Sequence, residues 1–431
     1  MTSPDWHAPA ASGRLDATVT LPGSKSLTNR YLVLAALASN TSRLARPLRS
    51  RDTELMAQAL RQLGASIDDA SSTGASPDWI ITPASLRGGG QVDCGLAGTV
   101  MRFLPAVAAL ASGPVAFDGD EHARVRPMAA IIDALRDLGV AIEDEGRGTL
   151  PFVVDGQGSV RGGKVVLDAS ASSQFISALL LAGSRFDEGI TVVHEGKPLP
   201  SLPHIEMTVE TLRDAGATVD DSEANTWRVE PGELLPLDVT VEPDLSNAAP
   251  FLAAALVAGG SVSVPDWPSH TTQAGDRIRD VLTQMGAEVT LAGRSLTVTS
   301  DGHPQGIDID LHDAAELTPV VAALAACADG PSIIRGVGHI RGHETDRISA
   351  LSRELSGMGV EVTEREDGLQ ITPAPLRPNT FHTYADHRMV MAGAVLSLRA
   401  PGTVIEDPGT VAKTLPEFVG LWDSMVGTSD N

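Results

Sequence analysis

Six short polar stretches carry the residues best suited to chemistry. PGSKSLTNR (22–30) sets Lys25, Ser26 and Arg30 behind a glycine turn. Lys25 and Arg30 lie about one and a half helical turns apart, close enough to serve one ligand at a helix start. GDEHARVRP (119–127) holds Arg124 and Arg126 in a turn, and SASSQF (170–175) offers Ser172, Ser173 and Gln174 at a helix entrance. GHETDR (342–347) is predicted to begin a helix, with His343 and Glu344 ahead of Arg347. YADHRM (384–389) brings Arg388 to another entrance, and DPGTVAKTLPEF (407–418) holds Lys413 in a turn. Hydroxyls and N–H groups at a helix entrance suit phosphate oxygens. A bidentate arginine is the natural partner of a carboxylate or phosphate. Arg126, Arg347, Arg388 and Lys413 would together neutralise a small trianion. The spacing of a nucleotide P-loop is absent.

The elements that must position these residues repeat. Apolar, alanine-rich runs surround Leu37, Leu110, Leu180, Leu256, Leu324 and Leu396, about 72 residues apart. Such a period marks repeated structural units. Each run is entered through polar residues, and a helix N-terminus with its unpaired N–H groups favours anions. Capping alone explains the serines, aspartates and asparagines. It leaves the lysine and arginine entrances unexplained. A second set of amphipathic helices ends at Gly64, Gly139, Gly216, Gly286 and Gly359, where glycine suits a helix C-terminus. Short strands follow, such as WIITP, PFVVD, WRVEP, LTVTS and LQITP. The unit therefore reads strand, helix, strand, helix, strand, strand. Six fit the chain, the last wrapped across the two termini. The entrances differ from unit to unit, which favours convergence on one site over a solenoid that repeats its surface.

At 431 residues the chain exceeds one hydrophobic core, so at least two domains are expected. The proline-flanked stretch 233–243 is the expected division. Residues 1–13 read as a loose tail without a secretory pattern, so a cytoplasmic protein is expected. No apolar run is long enough to span a bilayer. Two cysteines, Cys94 and Cys327, make neither a disulfide framework nor a metal-ligand spacing. The net charge of −23 repels nucleic acid and anionic membranes. Only Lys25, Lys164, Lys197 and Lys413 are lysines, so a cationic pocket must be concentrated locally.

PGSKSLTNR, AGTVMRF, RVRPM, SSQF, HETDR, DHRM and AKTLPEF run in this order over nearly the whole chain. The set resembles the 5-enolpyruvylshikimate-3-phosphate synthase family. The resemblance implies an α/β (α+β) fold of two inverse domains, each of three βαβαββ units, that closes over the substrates. It places 22–241 in the first domain, on the shikimate 3-phosphate side, and 1–21 with 242–431 in the second. It implies transfer of the enolpyruvyl group of phosphoenolpyruvate to the 5-hydroxyl of shikimate 3-phosphate, with release of phosphate. No cofactor and no metal are implied. Expected partners are the two small-molecule substrates, with no nucleic acid, no membrane, and a monomeric chain.

Carried over by motif, Lys25, Ser26 and Arg30 would hold shikimate 3-phosphate. Ser172, Ser173 and Ser201 would take its phosphate, Gln174 would lie against its ring, and Glu316 and His343 would complete the site. Lys25, Gly98, Arg126, Arg347, Arg388 and Lys413 would bind phosphoenolpyruvate. Glu316 would accept the hydroxyl proton and Glu344 would supply one to the methylene carbon, with Lys25 the third catalytic group.

The sequence departs from the commoner family pattern at several positions. Leu96 stands for an asparagine, Phe103 for a proline, His343 for a lysine, His339 for an asparagine, His204 for a tyrosine and Glu316 for an aspartate. The alternatives are the sister family that loads enolpyruvate onto UDP-N-acetylglucosamine, and a non-catalytic anion-binding scaffold. The sister family carries a cysteine on the loop matched by GDEHARVRP, which has none here. Two acidic groups among the cations argue for chemistry over mere binding.

Overall fold

The apolar runs become helices that are buried on every side, as a helix without a polar face must be. The computed structural model describes residues 4–71 and 77–427. Its chain divides into two compact units. One is Gly23–Glu242, and the other takes the described residues of 1–22 and 243–431.

In the unit Gly23–Glu242 the buried helices are Lys25–Leu37, Gly98–Ala108 and Gln174–Gly183. In the other unit they are Leu245–Ala258, Thr318–Ala326 and His387–Ser397. Around each trio stand three small sheets. In Gly23–Glu242 all three have four strands, the first two parallel and the rest antiparallel. A parallel pair needs a crossover, and a buried helix supplies it between Gln91–Asp93 and Ser112–Asp118 and between Gly163–Leu167 and Ile190–His194. The outer helices are amphipathic. Arg51–Gln62 buries Met56, Ala57, Ala59 and Leu60 and exposes Arg61 and Gln62. The five helix-ending glycines all take the left-handed conformation, with φ of 118° at Gly64 and 79–99° at Gly139, Gly216, Gly286 and Gly359. A side chain there would be strained.

Two chain segments pair away from their sequence neighbours. Leu15–Thr18 precedes the helix Lys25–Leu37 but pairs in parallel with Gly260–Pro265, Leu15 opposite Gly260. Asp238–Thr240 pairs in parallel with Ser42–Ala45. The stretch 233–243 is thus partly a sheet strand, and the chain passes between units at Glu242 and Pro243.

The expectation of a loose tail is overturned for residues 4–13; residues 1–3 lie outside the described residues. Trp6–His7 pairs antiparallel with Val404–Ile405, which pairs in turn with Thr380–Phe381. This three-stranded sheet is the sixth, built from both ends of the chain. Trp6 is 8% exposed and meets the Phe418 ring edge-on at 6.1 Å. Burial of a large apolar side chain contributes about 1.5–3 kcal/mol, enough to hold a short terminal strand.

Candidate active site

The residues nominated from sequence gather at helix entrances, in two groups, each within its own unit. In Gly23–Glu242, Ser24 caps the helix Lys25–Leu37 and accepts from the Leu27 amide at 3.5 Å. Lys25 takes the first helical position, with Nζ 3.6 Å from Asp52 Oδ2. Arg30 reaches back to the first turn of the helix with one nitrogen and turns its other two donors inward. It is 1% exposed. Its Nε donates to Thr208 Oγ1 at 2.8 Å, one terminal nitrogen to the Ser26 carbonyl at 3.0 Å and the other to the His204 carbonyl at 2.8 Å. All three partners are neutral oxygens. Burial lowers its pKa to about 9, so it still carries its charge at neutral pH.

Gly98 opens the second buried helix, at the point where three polar side chains converge. A Cβ on Gly98 would lie 2.7 Å from Arg102, 3.2 Å from Gln174 Oε1 and 3.3 Å from Arg126. The glycine therefore keeps a close approach open to those donors. Arg126 donates to the Leu96 carbonyl at 3.3 Å, and its buried Nε has no hydrogen-bond partner among the described residues. Arg124, its neighbour, is tied to Asp118 by bonds of 2.9 and 2.7 Å and reads as a structural anchor of the turn.

Ser172 Oγ accepts from the Gln174 amide at 3.3 Å, and Ser173 is buried beside it. Gln174 Oε1 accepts from Arg102 at 3.1 Å. Ser201 holds φ of 53°, an unusual conformation for a non-glycine residue, and its carbonyl accepts from the His204 amide. Such strain persists only where surrounding contacts enforce it.

In the other unit the cations are more tightly grouped. Arg347 is 3% exposed. It donates to Asp386 at 2.7 and 3.2 Å, to Glu344 Oε2 at 2.9 Å and to His343 Nδ1 at 3.1 Å. Burial opposes its charge, but Asp386 and Glu344 outweigh it and hold the guanidinium above its ordinary value. Lys413 pairs with the other oxygen of Glu344. Arg388 is buried, and one terminal nitrogen donates to the Ser246 carbonyl at 2.9 Å. Burial lowers its pKa, with Arg347 adding to the effect and Asp244 opposing it. Ser246 also donates through Oγ to Glu316 Oε1 at 3.3 Å. His339 stacks edge-on between His312 and His343, with ring centres 5.5 and 6.0 Å away. Burial, then His312, pulls it down to about 4, so it is neutral at physiological pH.

Local structure corrects two expectations. GHETDR does not begin a helix. A 3-10 turn covers Gly338–Gly342, and the α-helix starts at Arg347, capped by Asp346 accepting from the Ser349 amide at 3.0 Å. The Asp346 cap competes for the start position, and His343 and Glu344 are left in the bend before it. Lys413 ends a 3-10 helix, Pro408–Lys413. Lys164 is exposed on a strand, Gly163–Leu167.

Sequence reasoning passed over Asp386, Ser246 and Arg102. Asp386 is fully buried, caps His387–Ser397 and binds Arg347 across 39 residues of sequence. Its capping role was visible in YADHRM; its second partner was not. Among the described residues no cluster of His, Cys, Asp and Glu could hold a metal ion, and no helix is long and apolar enough to cross a membrane.

Comparisons with known proteins identify the family and the fold. A profile of EPSP synthase (3-phosphoshikimate 1-carboxyvinyltransferase) matches residues 9–422. The chain belongs to the EPSP synthase family. It is 56% identical over 430 residues to the 3-phosphoshikimate 1-carboxyvinyltransferase of Kocuria rhizophila, covering 98% of this chain and 97% of the relative. EPSP synthase from Acinetobacter baumannii superposes with a TM-score of 0.81 at 26% identity, over 97% of both chains. The enolpyruvyl transferase NikO from Streptomyces tendae shares the fold, with a TM-score of 0.74 at 18% identity over 98% of this chain and 97% of NikO.

Proposed function

We propose that the chain transfers the enolpyruvyl group of phosphoenolpyruvate to the 5-hydroxyl of shikimate 3-phosphate and releases phosphate. The observation that carries this reading is the state of Arg30, Arg126 and Arg388. Carbonyl and hydroxyl oxygens hold all three, and none forms an ion pair with a carboxylate among the described residues. Arg30 and Arg388 are buried and Arg126 is half-buried, and a cation so placed without a counter-ion is costly. An anionic ligand supplies that counter-ion. Membership of the EPSP synthase family supports the choice of substrates.

In this reading Lys25, Ser26 and Arg30 hold shikimate 3-phosphate, whose phosphate takes Ser172, Ser173 and Ser201. Gln174 lies against its ring, and Glu316 and His343 face its hydroxyls and phosphate. Phosphoenolpyruvate takes Lys25, Gly98 and Arg126, together with Arg347, Arg388 and Lys413. The domain comprising 1–21 and 242–431 thus supplies the acids and half the cations, and 22–241 supplies the phosphate site.

The hydroxyl oxygen attacks C2 of phosphoenolpyruvate while Glu316 takes its proton and Glu344 donates one to the methylene carbon. The tetrahedral adduct then loses a methyl proton and expels phosphate, which restores the double bond. No covalent bond to the enzyme is needed. Glu344 is paired with Arg347 and Lys413. The phosphate of the substrate would compete for both cations and release Glu344 for proton transfer. One chain carries every group the reaction needs, which is the basis for taking it as a monomer, and its kinship with a biosynthetic enzyme is the basis for taking it as cytoplasmic.

The test is phosphate release from phosphoenolpyruvate with shikimate 3-phosphate or UDP-N-acetylglucosamine as acceptor. Release only with shikimate 3-phosphate is expected. Release only with the nucleotide sugar would move the chain to the sister activity. Release with neither would leave an anion-binding scaffold.

A further inference from the structure

The two units treat the far ends of their buried helices differently. In the unit containing residues 243–427, Arg399 lies two residues beyond the helix His387–Ser397. Its guanidinium donates to the carbonyl of Val257 through two nitrogens at 3.2 Å, to that of Cys327 at 3.5 Å and to that of Gly302. One planar cation thus ties together three carbonyls near the C-terminal ends of the helices, where the helix dipoles are negative.

The internal repeat identifies the same place in Gly23–Glu242. Arg185 lies two residues beyond the helix Gln174–Gly183, as Arg399 does beyond its own. Leu37 is as far from the N-cap Ser24 as Val257 is from the N-cap Asp244. Leu110 precedes Ala-Ser-Gly-Pro as Cys327 precedes Ala-Asp-Gly-Pro. The Ser112 amide donates to the Leu86 carbonyl as the Asp329 amide donates to that of Pro304, so Ala84, two residues before Leu86, stands where Gly302 does. Leu37, Ala84, Leu110 and Arg185 all line one cavity of about 600 Å³, and Glu233 lines it too. Arg185 is exposed, and its side chain makes no hydrogen bond among the described residues. The place that a guanidinium fills in one unit is open in the other.

We infer that this cavity is a binding site for a small guanidinium-bearing molecule, held by the backbone carbonyls of Leu37, Ala84 and Leu110. Glu233 supplies the counter-charge. Arg185 is the rival occupant, since its counterpart makes these same contacts. The site stands at the opposite ends of the helices that begin at Lys25, Gly98 and Gln174, and is separate from the anion site.

Titration of the full chain with methylguanidinium, followed by backbone amide shifts, tests the inference. Saturable shifts at Leu37, Ala84 and Leu110 and their next residues are expected, and tetramethylammonium, which has no N–H donor, should produce none. Arg185→Ala should tighten binding and Glu233→Gln should weaken it, each by about threefold, the scale of one solvent-screened charge. Both substitutions fall on exposed side chains and leave the core intact. Absence of saturable shifts at these residues in both the parent chain and Arg185→Ala would overturn the proposal. So would binding that neither substitution changes.

Discussion

Nδ1 of His343 lies 3.1 Å from a terminal nitrogen of Arg347. A guanidinium only donates, so Nδ1 is the unprotonated nitrogen of the ring and Nε2 carries the hydrogen. A position that is lysine in the commoner family pattern is here a neutral donor whose tautomer an arginine fixes. Nitrogen-15 spectra at neutral pH are expected to show the Nε2–H tautomer. His343→Phe removes the acceptor and should weaken phosphoenolpyruvate binding about fivefold, ~1 kcal/mol. An unchanged affinity would show that Asp386 and Glu344 hold Arg347 without it.

Arg126 and Arg388 make the sharper test of the phosphoenolpyruvate assignment. Lysine cannot reproduce a bidentate fork. Arg126→Lys and Arg388→Lys should each weaken phosphoenolpyruvate binding by roughly tenfold, about 1.4 kcal/mol. Shikimate 3-phosphate alone should bind nearly as before, and Lys164→Ala, on an exposed strand position, should alter neither affinity. Separate titrations with the two substrates decide it. If Arg388→Lys weakens shikimate 3-phosphate first, Arg388 belongs to the other substrate.

His339 gives the fold a pH dependence whose sign is fixed. Its folded value of about 4 lies below the ordinary 6.5, chiefly through burial and then His312. Protonation therefore favours the unfolded chain. The stability that neutral His339 contributes is complete above about pH 6.5 and is lost as the pH falls towards 4. Denaturant unfolding of His339→Asn should show a shallower decline across that window than the parent. Parallel curves would mean that His339 titrates alike in both states.

The thiols should be inert. Cys94 is fully buried, and burial, with Asp93 and Asp118 nearby, raises its pKa; burial pushes Cys327 up to about 12. Thiolate is the reactive form. Neither should react with an alkylating reagent in the native chain, and Cys94→Ala should keep phosphate release. Loss of release in a folded variant would point to a covalent enzyme adduct.

Local chemistry left a clear record in the sequence. A helix that is apolar all round can only be buried, so six alanine- and leucine-rich runs were readable as core. Glycine stands where an outer helix must stop in a left-handed turn, so five helix ends were readable too. Lys25, Gly98, Gln174 and Arg388 sit at helix entrances because their motifs have capping and turn residues at fixed offsets. The contacts of those side chains depended on residues far away in sequence. Arg30 reaches the first turn at the Ser26 carbonyl, as its spacing suggested, but its other two partners, Thr208 and the His204 carbonyl, lie more than 170 residues on. The stretch around Trp6–His7 lacks the periodicity of a stable strand, and the edge at Val404–Ile405 and the ring of Phe418 make those two residues one. Asp386 reads locally as a cap, yet its main partner is Arg347 on another helix. Periodicity and capping act over a few residues, whereas hydrogen-bond partners and desolvation are set by whatever the fold brings within about 3–4 Å. The sequence therefore determined which elements form and which charges they carry. The tertiary structure decided which charges are matched by carboxylates and which remain for a ligand.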